Sequence, residues 1–140
     1  MPLNPKDVVE DGEITNTYNQ HTSRTKPSAG VDVDKRGLPE GARADVHTPV
    51  GGTVTKISPN WGMVQITDSD GNKHEFVHLD LSAPHVTVGT AVSPGDRIGA
   101  MGNTVPDGVT TPKDHVHYQI KSSTGTNINP ETFDFDSRGS

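Results

Sequence analysis

The chain has 140 residues, enough for one compact domain, and no cysteine, which excludes disulfides and thiolate metal ligands. Its formal charge of −6, with no Lys/Arg cluster to offset it, argues against a nucleic-acid partner. No stretch approaches the roughly 18 apolar residues of a membrane-spanning helix, and residues 1–13 lack the apolar core of a secretory signal, so neither membrane insertion nor a signal peptide is expected.

Residues 1–13 have no periodicity and are expected to form a loose arm or an edge strand. Residues 14–45 are rich in Thr, Asn, Ser, Lys and Gly and read as irregular loop, with one short apolar segment at Val31-Asp32-Val33. From Val46 onward strand signals follow closely, at 52–58, 63–67, 73–79, 97–101 and 115–122. Turn chemistry separates them, with Asp70-Gly71 a good hairpin signal. Val outnumbers Leu by 15 to 4 and Thr numbers 16, a β-branched balance that favours pleated surfaces over helices. Pro130 could start a single helical turn over 129–133. Gly51-Gly52-Thr53-Val54 and Val88-Gly89-Thr90-Ala91-Val92 are loosely alike, a hint of internal duplication. The expectation is an all-β, antiparallel domain, sandwich or barrel-like with a groove and little helix, over residues 14–135. Residues 136–140 form a tail that could be vector-derived.

Seven histidines stand against six Phe, Trp and Tyr, which makes their placement informative. In His115-Val116-His117-Tyr118-Gln119-Ile120, strand alternation sends Val116, Tyr118 and Ile120 to one face, expected to be the core. His115, His117 and Gln119 go to the other. Two imidazoles side by side on a rigid strand suit a metal site or an acid/base pair, or are simply exposed. The same parity puts His74, Phe76 and His78 together, with Val77 and Leu79 opposite. Asp32, between two valines, either points to water or offers a carboxylate ligand.

In chain order these pieces resemble the lysostaphin or LytM type of zinc endopeptidase of bacterial cell walls. The resemblance runs from about Tyr18 to Phe133. It rests on Gly30-Val31-Asp32, Gly52-Thr53-Val54, Gly62-Met63-Val64-Gln65-Ile66 and His78-Leu79. It continues through Val86, Gly89, Val92, Gly95, Ile98 and Gly99 to Gly102-Asn103-Thr104, His115-Val116-His117 and Asn129-Pro130. The resemblance implies a small antiparallel β-sandwich of duplicated hybrid-motif type. It implies Asp32 and His117 as ligands of one Zn2+, with His115 as general base and His78 holding the developing oxyanion. It implies peptidoglycan peptide as substrate, contacted by Trp61, Tyr18 and Asn103. Trp61 reads equally well as a core plug. A monomer acting outside the cell, in the periplasm or on a virion is expected.

The family's first ligand histidine is matched by Ser28, and a neutral hydroxyl is a poor zinc donor. Three explanations compete: His21 swings in as third ligand, the domain is a non-catalytic binding or regulatory module, or serine was introduced to inactivate it. His47, His74 and His85 match no family position and read as surface residues. Two other classes fit less well. A biotinyl- or lipoyl-carrier barrel would use Lys73, which lacks the apolar neighbours such a lysine needs. A phosphocarrier would pair His78 with His115 and leave Asp32 and His117 without a role.

Overall fold

β-branched residues at alternate positions build the fold, one side of each strand apolar and the other polar. The computed structural model describes residues 8–9, 12–16, 30–35, 44–105, 115–131, 133 and 135. Among them lie ten strands: β1 (Gly12–Asn16), β2 (Val31–Lys35), β3 (Asp45–His47), β4 (Gly52–Ser58), β5 (Met63–Thr67), β6 (Lys73–Val77), β7 (Ala91–Val92), β8 (Arg97–Ala100), β9 (Val116–Lys121) and β10 (Asn127–Ile128). The large sheet runs β1-β2-β9-β6-β5-β4-β7, with β10 also on β9, and β3 and β8 form a second, two-stranded sheet. Every pairing is antiparallel, as the all-β expectation requires. No helix among the described residues is long and apolar enough to cross a membrane.

The core collects one face of the large sheet. Val31 and Val33, Val54, Val64 and Ile66, Phe76, and Val116, Tyr118 and Ile120 all join one buried cluster, with Val46 and Ile98 from the small sheet. Phe76 and Tyr118, directly paired across β6 and β9, stack with ring centroids 4.7 Å apart. The Asp70-Gly71 hairpin forms as expected, with Gly71 at φ +84° and Thr67 facing Lys73 across β5 and β6. The two loosely similar segments become neighbours, since Gly52 and Thr53 of β4 pair with Val92 and Ala91 of β7. A hydrogen bond from the Phe133 amide to the Asn129 carbonyl closes the turn expected at 129–133.

Two expectations need correction, and a third is narrowed. Of the loose arm or edge strand expected at residues 1–13, the second agrees with the structure: Gly12 and Glu13 begin β1 at the edge of the large sheet, and Val8 and Val9 are fully buried, with Val9 bridging Val46. Two valines complete the core there, a contribution that lack of periodicity hid. Residues 14–45 hold the end of β1, all of β2 and the first residue of β3. In β2 the run Val-Asp-Val-Asp-Lys alternates, but its polar half made it resemble loop. His74 is fully buried, not a surface residue. Its Nε2–H donates to Asp68 Oδ2 at 2.9 Å, and the Tyr118 hydroxyl meets its Nδ1 at 2.7 Å. Phe133 packs edge-on against the ring at 5.3 Å. A polar ring costs little in a core when both its nitrogens are satisfied.

Candidate active site

The other face of the large sheet is polar, and register aligns its side chains in rows. Asp32 of β2 is paired with His117 of β9, which is paired in turn with Val77 of β6. One step along, Gln119, Glu75 and Gln65 form the next row across β9, β6 and β5. Strand alternation therefore delivers His117 and Gln119 to this face while Val116, Tyr118 and Ile120 stay in the core, as expected.

Asp32 and His117 meet directly, with Oδ1 and Nδ1 3.0 Å apart and both residues buried. His115 lies one residue before β9, in a bridge with Gly102, and its Nε2 approaches the same Asp32 oxygen at 3.4 Å. His78 completes the cluster, its ring centroid 5.0 Å from His115 and 6.2 Å from His117. Strand parity alone would have turned His78 away, alongside His74 and Phe76. It is instead the one non-glycine with positive φ among the described residues, at +71°, and β6 stops before it. That left-handed step breaks the alternation and brings the ring to the polar side. Such strain in a non-glycine residue costs of the order of 1–3 kcal/mol and is concentrated where geometry serves function.

The His78 ring is held by its Nδ1–H, which donates to the Thr104 carbonyl at 2.8 Å. Burial pushes its pKa down to about 4 from the usual 6.5. The Thr104 bond and Asp32 oppose this, while His115 and His117 push the same way. At neutral pH His78 therefore presents Nε2 as an acceptor. Trp61 stands 6.1 Å from His78 and is 43% exposed, so it lines the wall of the site and is not a core plug. Asn103 lies half-buried between Gly102, which bridges His115, and Thr104, which holds His78. His47 and His85 are half-buried and away from the cluster, each bonded to a backbone carbonyl.

Ser28, His21 and Tyr18 lie outside the described residues. Among the described residues no group of three or more His, Cys, Asp or Glu is placed to hold a metal ion. Asp32 Oδ1 and His117 Nδ1 are atoms of the types that bind zinc, whereas a catalytic zinc takes three protein ligands.

A signal that sequence reasoning passed over is Glu75. It is buried on the polar face and accepts hydrogen bonds from both Gln119 and Gln65. Its alternation against His74 and Phe76 marked it as facing the histidines.

Gly30 precedes Asp32 at φ +100°, and a Cβ there would lie 2.6 Å from the Tyr118 carbonyl and 2.9 Å from His117 Nε2. Gly30→Ala should therefore strain β2 and displace the His117 ring. We expect a stability loss of roughly 1–3 kcal/mol in urea unfolding. An unchanged midpoint would show that the β2 entry has room to give.

The family model for peptidase family M23 matches residues 26–130. A Haemophilus influenzae protein described as an uncharacterized metalloprotease is 32% identical over 134 residues, covering 94% of this chain and 26% of that one. The chain thus spans about a quarter of that relative's length. The solved structure of LytU is 28% identical, with a TM-score of 0.63 over 84% of this chain and 80% of that one. A chain of the SpoIIQ–SpoIIIAH pore-forming complex shares the fold at 23% identity and a TM-score of 0.67, over 92% of this chain and 87% of that one. With its sheet order, its paired Asp32 and His117 and a family match across three-quarters of its length, this chain belongs to peptidase family M23.

Proposed function

We propose that this domain hydrolyses peptide bonds in bacterial cell-wall peptidoglycan with one zinc ion. The observation that carries the reading is the 3.0 Å approach of Asp32 Oδ1 to His117 Nδ1, beside two further imidazoles on one sheet face. Both atoms are of the types that bind zinc; without an ion His117 Nδ1–H donates to the Asp32 carboxylate, and zinc would take that proton's place. Asp32 and His117 would hold the ion, with a third ligand from the segment containing Ser28 and His21. When bound, it supplies Lewis acidity toward the scissile carbonyl and makes a water acidic near neutrality.

His115 and His78 act as the proton acceptors. His115 Nε2 stands 3.4 Å from the Asp32 carboxylate, beside the place the ion would take. The Thr104 carbonyl can only accept, so it fixes the His78 proton on Nδ1 and leaves Nε2 as a second acceptor. For His78 to hold an oxyanion instead, it must first gain a proton, against its burial. The proton taken from water is then available to the leaving amine. Trp61 offers an exposed aromatic wall for the peptide, and Asn103 and Tyr18 would be further contacts.

A second reading rests on Ser28: with two strong donors, the domain would be a non-catalytic module that binds peptidoglycan or regulates a partner. Zinc titration and hydrolysis of purified cell walls separate the two, using this chain and Ser28→His. We expect Ser28→His to tighten zinc at least about tenfold and to raise hydrolysis. A native chain that already binds zinc one-to-one, and is unchanged by the substitution, would rule out position 28 as the place of the third ligand. Zinc bound by Ser28→His with no hydrolysis would favour the module.

A further inference from the structure

Three chain segments meet behind His78, and Leu79 is their meeting point. Leu79 is fully buried and bridges Met101, so its backbone is anchored in the core. From the turn between β4 and β5, the Trp61 and Gly62 carbonyls accept the amides of His78 and Leu79, both at 2.9 Å. From the segment after β8, the Thr104 hydroxyl donates to the Leu79 carbonyl at 2.7 Å. The Thr104 carbonyl meets His78 Nδ1 at 2.8 Å. The junction has no spare room. Gly62 lies at φ +61°, and a Cβ there would stand 2.3 Å from the Leu79 carbonyl oxygen and 2.9 Å from Thr104 Cβ. Glycine is required both for the left-handed backbone and for this approach.

We propose that Thr104 and Gly62 are positioning residues that lock Trp61 and His78 into one rigid unit, with a fixed spacing between the aromatic wall and the imidazole. The inference rests on the peptidase reading for its purpose, since that reading gives Trp61 to the substrate and His78 to proton transfer. A histidine at φ +71° persists only where its surroundings over-determine it. Here they do so through the Trp61 and Gly62 carbonyls on one side and Thr104 on the other. The Trp61 ring is 43% exposed, so the backbone of its turn, and not core packing, keeps it 6.1 Å from His78. Among the described residues the Thr104 hydroxyl bonds Leu79 alone. It touches neither ring by a hydrogen bond and acts through the Leu79 backbone, to which the Trp61 turn is tied. A positioned pair of this kind matters because small misplacements of reacting groups cost disproportionately in rate.

The test uses the full chain. Trp61 is its only tryptophan, so indole fluorescence reports this turn alone. Time-resolved anisotropy of the unaltered chain should show the indole tumbling with the domain, with little fast local motion. Thr104→Val exchanges the hydroxyl for a methyl group and keeps the branched shape and the backbone carbonyl. It should enlarge the fast component, and Gly62→Ala, which drives the turn off Leu79 from the other side, should do the same. Thr104→Ser restores the hydroxyl and should return the indole to its original behaviour. Hydrolysis of a soluble wall peptide is compared in the Ser28→His background. There Thr104→Val should lower kcat about ten- to a hundredfold and raise KM, because imidazole and wall shift together, and Thr104→Ser should recover both. A purely structural contact would lower the urea midpoint of Thr104→Val and leave anisotropy, kcat and KM of the folded protein unmoved. Folded Thr104→Val with either the indole motion or the kinetics unchanged in an active background would overturn the proposal, as would a serine variant that fails to recover. Thr104→Ala makes the same cut if Thr104→Val does not fold. If no form hydrolyses wall peptide, the peptidase reading falls, while the anisotropy still decides whether Thr104 locks the indole.

Discussion

His117→Ala should abolish both zinc binding and hydrolysis, whereas His115→Ala should abolish hydrolysis and leave zinc in place. Both rings approach the same Asp32 oxygen, at 3.0 and 3.4 Å, so proximity alone does not divide their roles. Their anchoring does. His117 sits within β9, register-paired to Asp32, with Nε2 tied to Gln119 and Nδ1 presented to the carboxylate. His115 precedes the strand and packs its ring against His78, the second acceptor. Losing a positioned base costs about a hundred- to ten-thousandfold in rate. Losing a direct ligand should weaken zinc by more than the ten- to hundredfold typical of an outer-shell partner. Calorimetric zinc titration and a cell-wall turbidity assay read the two effects separately. Where hydrolysis by the Ser28 chain is too slow to follow, the same pair of substitutions belongs in Ser28→His. Equal loss of metal from both variants would mean that His115 is itself a ligand, and the proposed division would fall.

Period-two alternation carried much of this arrangement in the sequence itself. Val116, Tyr118 and Ile120 go to the core and His117 and Gln119 to the polar face because β9 is regular, and the side-chain period of a regular strand is two. Alternation failed where the backbone departs from a strand. His78 lies at φ +71°, and no local sequence signal announces a left-handed step at a histidine. It failed again for His74, whose parity with Phe76 was right but whose burial was not foreseen. The partners that make a core histidine acceptable are Asp68, six residues earlier in a turn, and Tyr118, distant by 44. Asp68 carried the composition of a turn residue, and that is what it also is: its Oδ1 accepts the amides of Asp70 and Asn72. The burial of Val8 and Val9 was hidden for a related reason, since two residues are too few to show a period. The pairing of Asp32 with His117 joins positions separated by 85 residues, and only family resemblance put those two together in advance.

Asp68→Ala should be strongly destabilising, by roughly 2–4 kcal/mol, the cost of leaving the buried His74 N–H and two turn amides without their acceptor. Small domains have about 5–15 kcal/mol in total, so the variant should be marginal. The size follows from what is left behind. His74 Nε2–H would lose its acceptor inside a fully buried ring, and two turn amides would lose theirs. Tyr118→Phe removes one hydrogen bond while Nε2 keeps Asp68, so it should cost nearer about 1 kcal/mol. The same contact predicts an acid limit. Burial alone would raise the Asp68 pKa, but the hydrogen bonds from His74, Asn72 and Asp70 outweigh it and hold the carboxyl at about 2, against the usual 3.8. A folded-state pKa below the unfolded one stabilises the fold fully above pH 3.8, and that stabilisation disappears as pH falls toward 2. The shift corresponds to about 2 kcal/mol. Urea midpoints measured from pH 6 down to pH 2 should therefore fall more steeply below pH 4 for the native chain than for Asp68→Asn, which has no proton to gain there. Parallel profiles for the two proteins, or an Asp68→Ala loss under about 1 kcal/mol, would show that the hairpin and the core do not depend on this carboxylate.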